Sequence, residues 1–493
     1  MKKHNFIKVI SIITIFVLVF SIFSVKVNAD NKYNEGGLDL DLYDFDKELR
    51  INVLNDTPKY IFIVIGDGMG AGHLESGKLF NKIISGDMGE KSAWETFPTQ
   101  LFVKGGADSS QGGTMIATGN TVASGLISMD QEGKPLRTIL DIAKDNGLST
   151  GVITTASLID ATPATFLSHS EERSMKNTIA NGFPESNVDF IAGGGLDALY
   201  IDDDLPEEYE VDCVGNSVSS DSTTRNVANM MGVKGYSSLF GLSGAKSIIA
   251  QNIIDNDKVF GSFTRGNLPF YFVQHTPKYA ASMKETPSLI DITNFGIESL
   301  YKNPNGFCVM IEASAIDDAV HNNQPSYIAA EMGVLDRTLD TILDFYYLHP
   351  EETLIVLTAD HETGNFSYVD GTVDKLSEIE ENLPWDGTAK DISDYIYKNF
   401  SVPAGYKTVS TGIDNIENNR FKNDYDNRLY SASRITAKIQ DKLGIRAAHD
   451  YHSSQLVPIM TIGVNNELFS DCSSIADIPD MICEAAEWKD TLN

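Results

Sequence analysis

The stretch YIFIVIGDGMG, residues 60–70, joins an unbroken apolar run to an acidic turn rich in glycine. Its first seven residues are mostly Ile, Phe and Val without polar alternation, which predicts a strand buried on both faces. Five further runs have the same character: STGVITTA from Ser149, VDFIAGGG from Val188, FCVMIEA from Phe307, TLIVLTADH from Thr353 and VPIMTIGV from Val457. Buried strands of this kind are typical of a parallel sheet.

Helical patterns separate these strands. The clearest one begins at Pro325, a residue that suits the first turn of a helix. Apolar residues then recur at spacings of three and four and share one face: Ile328, Met332, Leu335, Leu339 and Leu343. Strands that alternate with helices predict an α/β protein with a large, mostly parallel central sheet flanked by helices. Ligands of such sheets bind beyond the carboxyl ends of the strands.

The composition limits the classes of partner. Of the 493 residues 42% are apolar, which is enough for a large folded core and excludes a disordered protein. Acidic residues number 69 and basic residues 38, so the formal net charge is −31, and no block of lysine or arginine interrupts this excess. Nucleic acid and anionic membranes need a basic surface, so neither is expected as a partner. A small anionic substrate stays compatible with the composition.

The first 29 residues carry the pattern of an export signal. Lys2, Lys3 and Lys8 precede an apolar run over residues 9–25, and VNA at residues 27–29 matches the small-x-small site of signal peptidase. We therefore expect a secreted or cell-surface protein, cleaved after Ala29 and without stable membrane association. A retained anchor helix is the alternative, because the apolar run approaches the length that spans a bilayer.

Two regions interrupt the alternation of strands and helices. Residues 30–58 are polar and acidic and are expected to form an N-terminal arm. Residues 362–446 are weakly periodic and rich in Asp, Asn, Tyr and Gly, which predicts a crown-like insertion over the sheet within one domain of residues 59–493. Four cysteines are too few for a disulfide framework, and the pairing of Cys472 with Cys483 after export is left open.

Side chains able to bind a metal follow the ends of four predicted strands. Asp67 follows the first strand, and the others are Asp160, Thr162, Glu312, Asp317, His321, Asp360 and His361. A single acid at such a place commonly caps a turn, but two of these motifs offer a carboxylate close to an imidazole. Mixed oxygen and nitrogen ligands suit zinc. The combination predicts a metal centre at the carboxyl ends of the strands.

The segment GGADSSQGGTMIATGNTVASG, residues 105–125, adds a candidate anion site. Its small residues at the start of a predicted helix leave backbone amides accessible, and phosphate binds well at such a helix end. Ser109 and Ser110 are both candidate nucleophiles that a nearby metal would activate. Taken alone, the segment is more typical of a flexible turn.

These motifs, in this order over about residues 60–464, resemble those of the alkaline phosphatase family. VIGDGMG, ADSSQGGTMIATG, DATPATFLSHSEER, IEASAIDDAVH and TADHETG are each similar to a family motif. The resemblance implies that Ser109, rather than Ser110, is the nucleophile and that Arg173 binds phosphate. It also implies two zinc ions and one magnesium ion as cofactors, with the ligands Asp67, Thr162, Glu312, Asp317, His321, Asp360, His361 and His452.

Further positions are read by comparison with the family pattern. His452 lies five residues before the Val-Pro that opens a strand and fits the last zinc ligand, whereas His449 lies three residues too early. Asp160 stands at a position where the family pattern also has an acid. Asp318 stands where the family often has a lysine or a histidine that contacts phosphate through water. Both acids are expected beside the metal ligands rather than among them, and they affect the affinity for phosphate.

The implied reaction is the hydrolysis of small phosphate monoesters to an alcohol and inorganic phosphate, through a phosphoserine on Ser109. Family members are usually homodimers in which the N-terminal arm lies on the neighbour, and the same is expected here. A phosphodiesterase, a phosphomutase or a sulfatase on a related sheet is the alternative, although residues 105–125 lack the Cys/Ser-x-Pro-x-Arg segment of a sulfatase. A non-enzymatic metal-storage or adhesion protein is a second alternative.

Overall fold

The apolar run at residues 60–66 forms an inner strand of a nine-stranded sheet. The structure is a computed structural model that describes residues 57–87, 89–199, 227–252, 254–275, 285–366, 425–443 and 447–489. Its strands are β1 (Tyr60–Gly66), β2 (Thr99–Val103), β3 (Ser149–Ser157), β4 (Phe190–Gly194), β5 (Ser237–Phe240), β6 (Val259–Ser262), β7 (Phe307–Ala313), β8 (Thr353–Thr358), β9 (Glu362–Thr363), β10 (His452–Ser453) and β11 (Val457–Gly463).

Helices flank this sheet and connect its parallel strands. They are α1 (Ala71–Ser85), α2 (Ser109–Thr118), α3 (Ile139–Asp145), α4 (Ala161–Leu167), α5 (Lys176–Ser186), α6 (Val227–Val233), α7 (Gly241–Ile249), α8 (Tyr271–Gln274), α9 (Leu289–Leu300), α10 (Ala315–His321), α11 (Pro325–Leu348), α12 (Tyr425–Leu443) and α13 (Ile478–Ala485). The predicted α/β class with a mostly parallel sheet is therefore confirmed.

The strand order across the sheet is β2-β11-β8-β1-β7-β3-β4-β6-β5. Pairing is parallel from β8 through to β5, whereas β11 runs antiparallel to both β8 and β2. All six predicted apolar runs contain strands of this sheet. Five of the described strands were not predicted. In this sheet, β2 alternates exposed and half-buried residues at the edge, and β5 and β6 have only four residues each; β9 and β10 have two residues each and form a separate two-stranded sheet.

The predicted helix from Pro325 is confirmed as α11, with proline in the first turn. Its five predicted core residues are all nearly or fully buried. One face of α11 packs against α1 and α12. At Gly333 the contact with α1 is so close that an added Cβ would overlap the ring of Phe80.

Some predicted regions lie wholly or partly outside the described residues. These are the signal peptide at 1–29, the arm at 30–58 except for its last two residues, and residues 367–424 and 444–446 of the insertion. The described end of the insertion is α12, which packs on α11 and α1. Among the helices in the described ranges, none combines the length and the hydropathy needed to cross a bilayer.

Cys472 and Cys483 do not form a disulfide, which decides the alternative that the sequence left open. Both thiols are buried and free, as is that of Cys308. Cys483 lies in α13 among the residues that this helix buries in the core. Burial raises the pKa of Cys472 and of Cys483 to about 12, so both behave as apolar core groups.

We predict that Gly333→Ala destabilises the protein by about 1–3 kcal/mol, because overpacking against Phe80 outweighs the gain in helix propensity. The matched control is Gly232→Ala in α6, where an added Cβ meets nothing within 4 Å. That change should stabilise by up to about 1 kcal/mol. Chemical unfolding of both variants is the measurement, and a stabilised Gly333→Ala protein would contradict the close contact.

Candidate active site

The register of the sheet brings the predicted metal ligands to one edge. Ile65 in β1 lies opposite Glu312 in β7 and opposite Thr358 in β8. Asp67 follows β1 and Asp360 follows β8, so their side chains arise at the same level as Glu312. The carboxyl ends of three adjacent strands therefore supply acids to one place.

The first cluster consists of Asp67, Asp360 and His361, whose ligand atoms lie within 4.8 Å of one another. Nε2 of His361 is 3.4 Å from Oδ1 of Asp67 and 3.4 Å from Oδ2 of Asp360. Oδ1 of Asp67 is buried and has no hydrogen-bond partner. Burial and the charges of Asp360 and Asp317 raise the pKa of Asp67 well above its usual value. A buried oxygen of this kind fits a metal ligand.

The second cluster consists of Asp317, His321 and His452. Nε2 of His321 lies 3.1 Å from Oδ2 of Asp317 and 3.1 Å from Nε2 of His452. Nδ1 of His321 is 2.6 Å from the carbonyl of Asp450, and Nδ1 of His452 is 3.2 Å from that of Ala107. A carbonyl only accepts, so each Nδ1 carries the proton and each neutral ring presents a lone pair on Nε2. Two neutral rings would aim these lone pairs at each other, so either a proton on His321 or a metal ion must lie between them. One carboxylate with two imidazoles fits a zinc site.

The remaining predicted ligands, Glu312 and Thr162, adjoin the first cluster. Thr154 donates a hydrogen bond to one oxygen of Glu312, while the other oxygen is buried without a partner. Oγ1 of Thr162 lies 3.4 Å from Oδ2 of Asp360. Burial raises the pKa of Glu312 to about 8, against the hydrogen bond from Thr154. Oxygen-only ligands at this position fit magnesium.

Asp317 and His321 of the second cluster shift each other's pKa. The hydrogen bond to Asp317 raises the pKa of His321 to about 9. Although burial acts against it, the hydrogen bond from His321 and the charge of His361 hold the pKa of Asp317 below its usual range. In the absence of metal the pair is therefore an imidazolium with a carboxylate, and a cation must displace the proton of His321.

The two serines at the start of α2 have different environments. Oγ of Ser109 lies 3.1 Å from Nε2 of His361, next to the first cluster. Oγ of Ser110 donates to Asp108 and accepts a 2.6 Å hydrogen bond from the backbone of Gly125. Asp108 also caps α2 by accepting from the amide of Gln111. Ser110 is therefore engaged in holding the loop, whereas Ser109 faces the metal ligands.

Arg173 lines a cavity that Ser109 and Asp67 also line, and two acids hold its guanidinium. Its Nη1 is 3.3 Å from Asp108 and its Nη2 is 3.4 Å from Asp160. The charges of Asp160 and Asp108 raise the pKa of Arg173, although burial opposes them. Lys176 shares Asp160, at 3.5 Å. The guanidinium is thus fixed in orientation, as bidentate binding of an oxyanion requires.

The sequence did not identify Asn267, Lys176 and Thr154 as parts of this site. Asn267 donates to Asp318 at 2.8 Å and accepts from the backbone of Ser157 at 2.8 Å. Burial and the charge of Asp317 raise the pKa of Asp318 to about 6. These residues lie in no motif, so only the folded chain reveals them. His449, which was set aside in favour of His452, stacks on Tyr451.

A cavity of about 990 Å³ joins these groups. Asp67, Ser109, Arg173 and the second cluster line one part of it, and Asp160 and Asp318 lie on its wall. The remaining wall includes the rings of Phe270 and Tyr327. A serine hydroxyl, a fixed guanidinium and predicted metal ligands in one cavity are suited to the transfer of a phosphoryl group.

Comparisons with known proteins agree with this chemistry. The sequence model of the family described as "Alkaline phosphatase" matches residues 58–488. "Alkaline phosphatase 3" of Bacillus subtilis (strain 168) is 25% identical, over 89% of this chain and 91% of that protein. The "Repressible alkaline phosphatase" of Saccharomyces cerevisiae is 26% identical, over 65% of this chain and 57% of that protein.

Solved structures share the fold. The alkaline phosphatase from the Antarctic bacterium TAB5 is 21% identical, with a TM-score of 0.62 over 88% of this chain and 100% of that chain. A variant of that enzyme with Mg bound in the M3 site has a TM-score of 0.61, at 21% identity over 88% of this chain and 99% of that one. At this identity the likeness shows the fold alone.

We predict that zinc and magnesium raise the thermal midpoint more at pH 9 than at pH 6. Without metal, the raised pKa values of Glu312, about 8, and His321, about 9, mean that the folded chain holds protons that the unfolded chain has released. Stability of the chelated protein should therefore fall between about pH 4.5 and 9, while metal affinity rises as these ligands deprotonate. Calorimetry of chelated and metal-loaded protein measures the difference.

Two variants separate the pH-dependent gain from metal from the pH dependence that any buried acid produces. Glu312→Gln removes a predicted ligand and should reduce the gain from metal at pH 9. Glu331→Gln is the control, since burial raises the pKa of Glu331 to about 8 although it binds the backbone of Tyr271 and belongs to neither cluster. Glu331→Gln should change the dependence of the thermal midpoint on pH equally in the chelated and the metal-loaded protein. A gain from metal that is equal at both pH values would contradict the ligand assignment.

Proposed function

This chain belongs to the alkaline phosphatase family, and we propose that it is a phosphatase that hydrolyses phosphate monoesters through a phosphoserine on Ser109. The observation that carries the proposal is Oγ of Ser109 at 3.1 Å from Nε2 of His361, in the cavity that Arg173 also lines. A nucleophile beside metal ligands and a guanidinium beside the nucleophile are the two requirements of transfer from a dianionic phosphoryl group.

We propose two zinc ions and one magnesium ion as cofactors. Asp317, His321 and His452 would hold one zinc ion, and Asp360 and His361 the other, with Asp67 shared between the second zinc ion and magnesium. Thr162 and Glu312 would complete the magnesium site, and the relative with Mg in its M3 site supports this part of the proposal. When bound, these ions supply Lewis-acid chemistry, which favours the alkoxide of serine and the hydroxide of water and neutralises the leaving alcohol.

Arg173 orients the substrate. Its two terminal nitrogens already bind Asp108 and Asp160, so the plane of the guanidinium is set before the ester arrives. Two parallel N–H groups then bind two phosphoryl oxygens, which directs phosphorus towards Ser109. Since both N–H groups bind phosphoryl oxygens, Arg173 itself does not discriminate between alcohols.

Ser109 carries the covalent step. The hydroxyl proton of Ser109 passes to solvent, and its oxygen forms a bond to phosphorus while the bond from phosphorus to the ester oxygen breaks. The alcohol leaves with a proton taken back from solvent. Water then forms a new bond to phosphorus as the bond to Ser109 breaks, which releases inorganic phosphate and returns the proton to serine. Because Nε2 of His361 lies 3.1 Å from Oγ of Ser109, an ion held by His361 would lie beside the attacking oxygen.

We also propose export and a homodimer. The charged, apolar and small-residue segments of residues 1–29 support export, and the acidic arm of residues 30–58 supports contact with a neighbouring copy. Residues 59–493 would then be the catalytic domain, with 362–446 inserted into it.

We predict that Ser109→Ala lowers kcat at least about a thousandfold, because no other side chain would form the covalent intermediate. Ser110→Ala is the control and should lose about tenfold or less, since Ser110 donates to Asp108. Labelled phosphate should be trapped on protein at acid pH for wild type and Ser110→Ala, but not for Ser109→Ala. Label retained by Ser109→Ala would overturn the assignment.

The substrate class is tested in the same preparation. An aryl phosphate, an aryl phosphodiester and an aryl sulfate are compared at equal concentration. The monoester should be hydrolysed fastest, because a diester offers Arg173 one charge fewer and carries a second bulky group. Faster hydrolysis of the diester or the sulfate would contradict the proposed phosphomonoesterase activity and would identify the protein as a phosphodiesterase or a sulfatase.

We predict that Arg173→Ala raises the inhibition constant for inorganic phosphate about tenfold to a hundredfold, as expected for the loss of charge-assisted hydrogen bonds. The control is Arg265→Ala, which removes an ion pair with Asp197, 2.7 Å away, whose two residues are not among those that line the cavity. Phosphate inhibition of Arg265→Ala should match wild type. Equal inhibition of both variants by phosphate would assign Arg173 a structural role.

A further inference from the structure

Asp318 differs from Asp160, another acid of the cavity, in the kind of group that binds its carboxylate. Asp160 is bound by two cations, Arg173 and Lys176. The hydrogen bond to Oδ2 of Asp318 comes instead from the neutral amide of Asn267. Its ionised form therefore keeps a negative charge on the wall of a cavity whose substrate is an anion. Such a charge costs affinity for phosphate unless it meets a positive group of the ligand.

Two aromatic rings line the cavity together with Asp318. Phe270 lies three residues after Asn267, so the loop that orients Asp318 also carries this ring. The ring of Phe270 meets that of Tyr327 with centroids 5.0 Å apart and planes at 60°. Phe272 stacks on Tyr327 at 4.7 Å and holds it in place. The three residues Phe270, Asp318 and Tyr327 form what we name the ammonium wall.

The position of the ammonium wall relative to Ser109 determines which part of a substrate would meet it. Ser109 adjoins His361 of the first cluster, whereas Asp318 is next in sequence to Asp317 of the second cluster, on the same helix as His321. An in-line displacement leaves the alcohol on the side of phosphorus away from the attacking serine. An alcohol that leaves away from Ser109 would therefore pass towards the second cluster, beside which Asp318 lies.

We propose that the ammonium wall binds a positively charged ammonium group on the alcohol part of the substrate, so that phosphate monoesters of amino alcohols are preferred. This inference rests on the proposed function. A carboxylate supplies the charge that an ammonium group needs, and aromatic faces attract a cation while they exclude water. The same wall gives no such gain to an uncharged alcohol, so the preference arises from charge and not from shape.

The experiment compares two esters of the same shape with the metal-loaded enzyme. One is choline phosphate, and the other is neohexyl phosphate, in which a carbon atom replaces the ammonium nitrogen. The ratio of their kcat/KM values is measured at low ionic strength, where screening is weak. We expect a ratio of roughly ten in favour of choline phosphate. A ratio of one or less overturns the inference.

Asp318→Asn tests the residue that carries the charge. It should lower the ratio at least threefold, and Tyr327→Leu should lower it independently by removing an aromatic face. Glu185→Gln is the matched control, because it removes one negative charge from an exposed carboxylate paired with Lys234 and should leave the ratio at its wild-type value. An unchanged ratio in both wall variants overturns the proposal even where wild type prefers choline phosphate.

Failure of the underlying function gives a different result. If the protein is no phosphomonoesterase, neither ester is hydrolysed, para-nitrophenyl phosphate is stable, and no label is trapped on Ser109. If the function holds and the inference fails, para-nitrophenyl phosphate is hydrolysed while the two shape-matched esters react equally. As a check that needs no turnover, Ser109→Ala should bind choline phosphate more tightly than neohexyl phosphate in calorimetry.

Discussion

Repulsion among buried acids at the ends of three neighbouring strands is the constraint on which the rest of the structure depends. Asp67 is 2% exposed, and Glu312 and Asp360 are fully buried. Each buried charge costs several kcal/mol without a partner. The apolar strands that carry these acids offset part of this cost, since β1 alone buries the six apolar side chains from Tyr60 to Ile65. A divalent cation between the acids would convert their repulsion into attraction, which couples metal binding to folding.

Glycine allows the backbone to approach these acids closely. Gly68 has φ +72°, and a Cβ there would lie 2.6 Å from Asp317 and 2.8 Å from Thr363. Its amide instead donates to Asp360 at 3.2 Å, so the turn that presents Asp67 is tied to the neighbouring strand. At Gly112, an added Cβ would overlap the carbonyl of Asp360. The helix that begins with Ser109 therefore reaches the end of β8 only because residue 112 has no side chain. This close approach offsets the low helix propensity of Gly112.

Hydrophobic pattern was sufficient to predict the fold class, the six main strands and α11, because buried strands and amphipathic helices have distinct periods. The direction of β11 was not predictable, since an apolar run has the same pattern in parallel and antiparallel pairs. Motif order led to the candidate ligands, but the different environments of Ser109 and Ser110 depend on Asp108 and Gly125, which only folding brings to them. Asn267 escaped detection for the same reason, because it contacts Asp318 across 51 residues of sequence.

The net charge of −31 is compatible with the proposed phosphate substrate because the acids have two different environments. The buried carboxylates Asp67, Glu312, Asp317 and Asp360 are the proposed metal ligands, and three divalent ions would exceed their charge. The cavity would then be positive beside Ser109 and Arg173, while the surface stays acidic. Asp318 belongs to neither class: it lies on the cavity wall and its hydrogen bond comes from an amide. An acid in that position lowers the attraction for every phosphate ester alike, and a cation on the alcohol is the one feature of a substrate that turns this loss into selectivity.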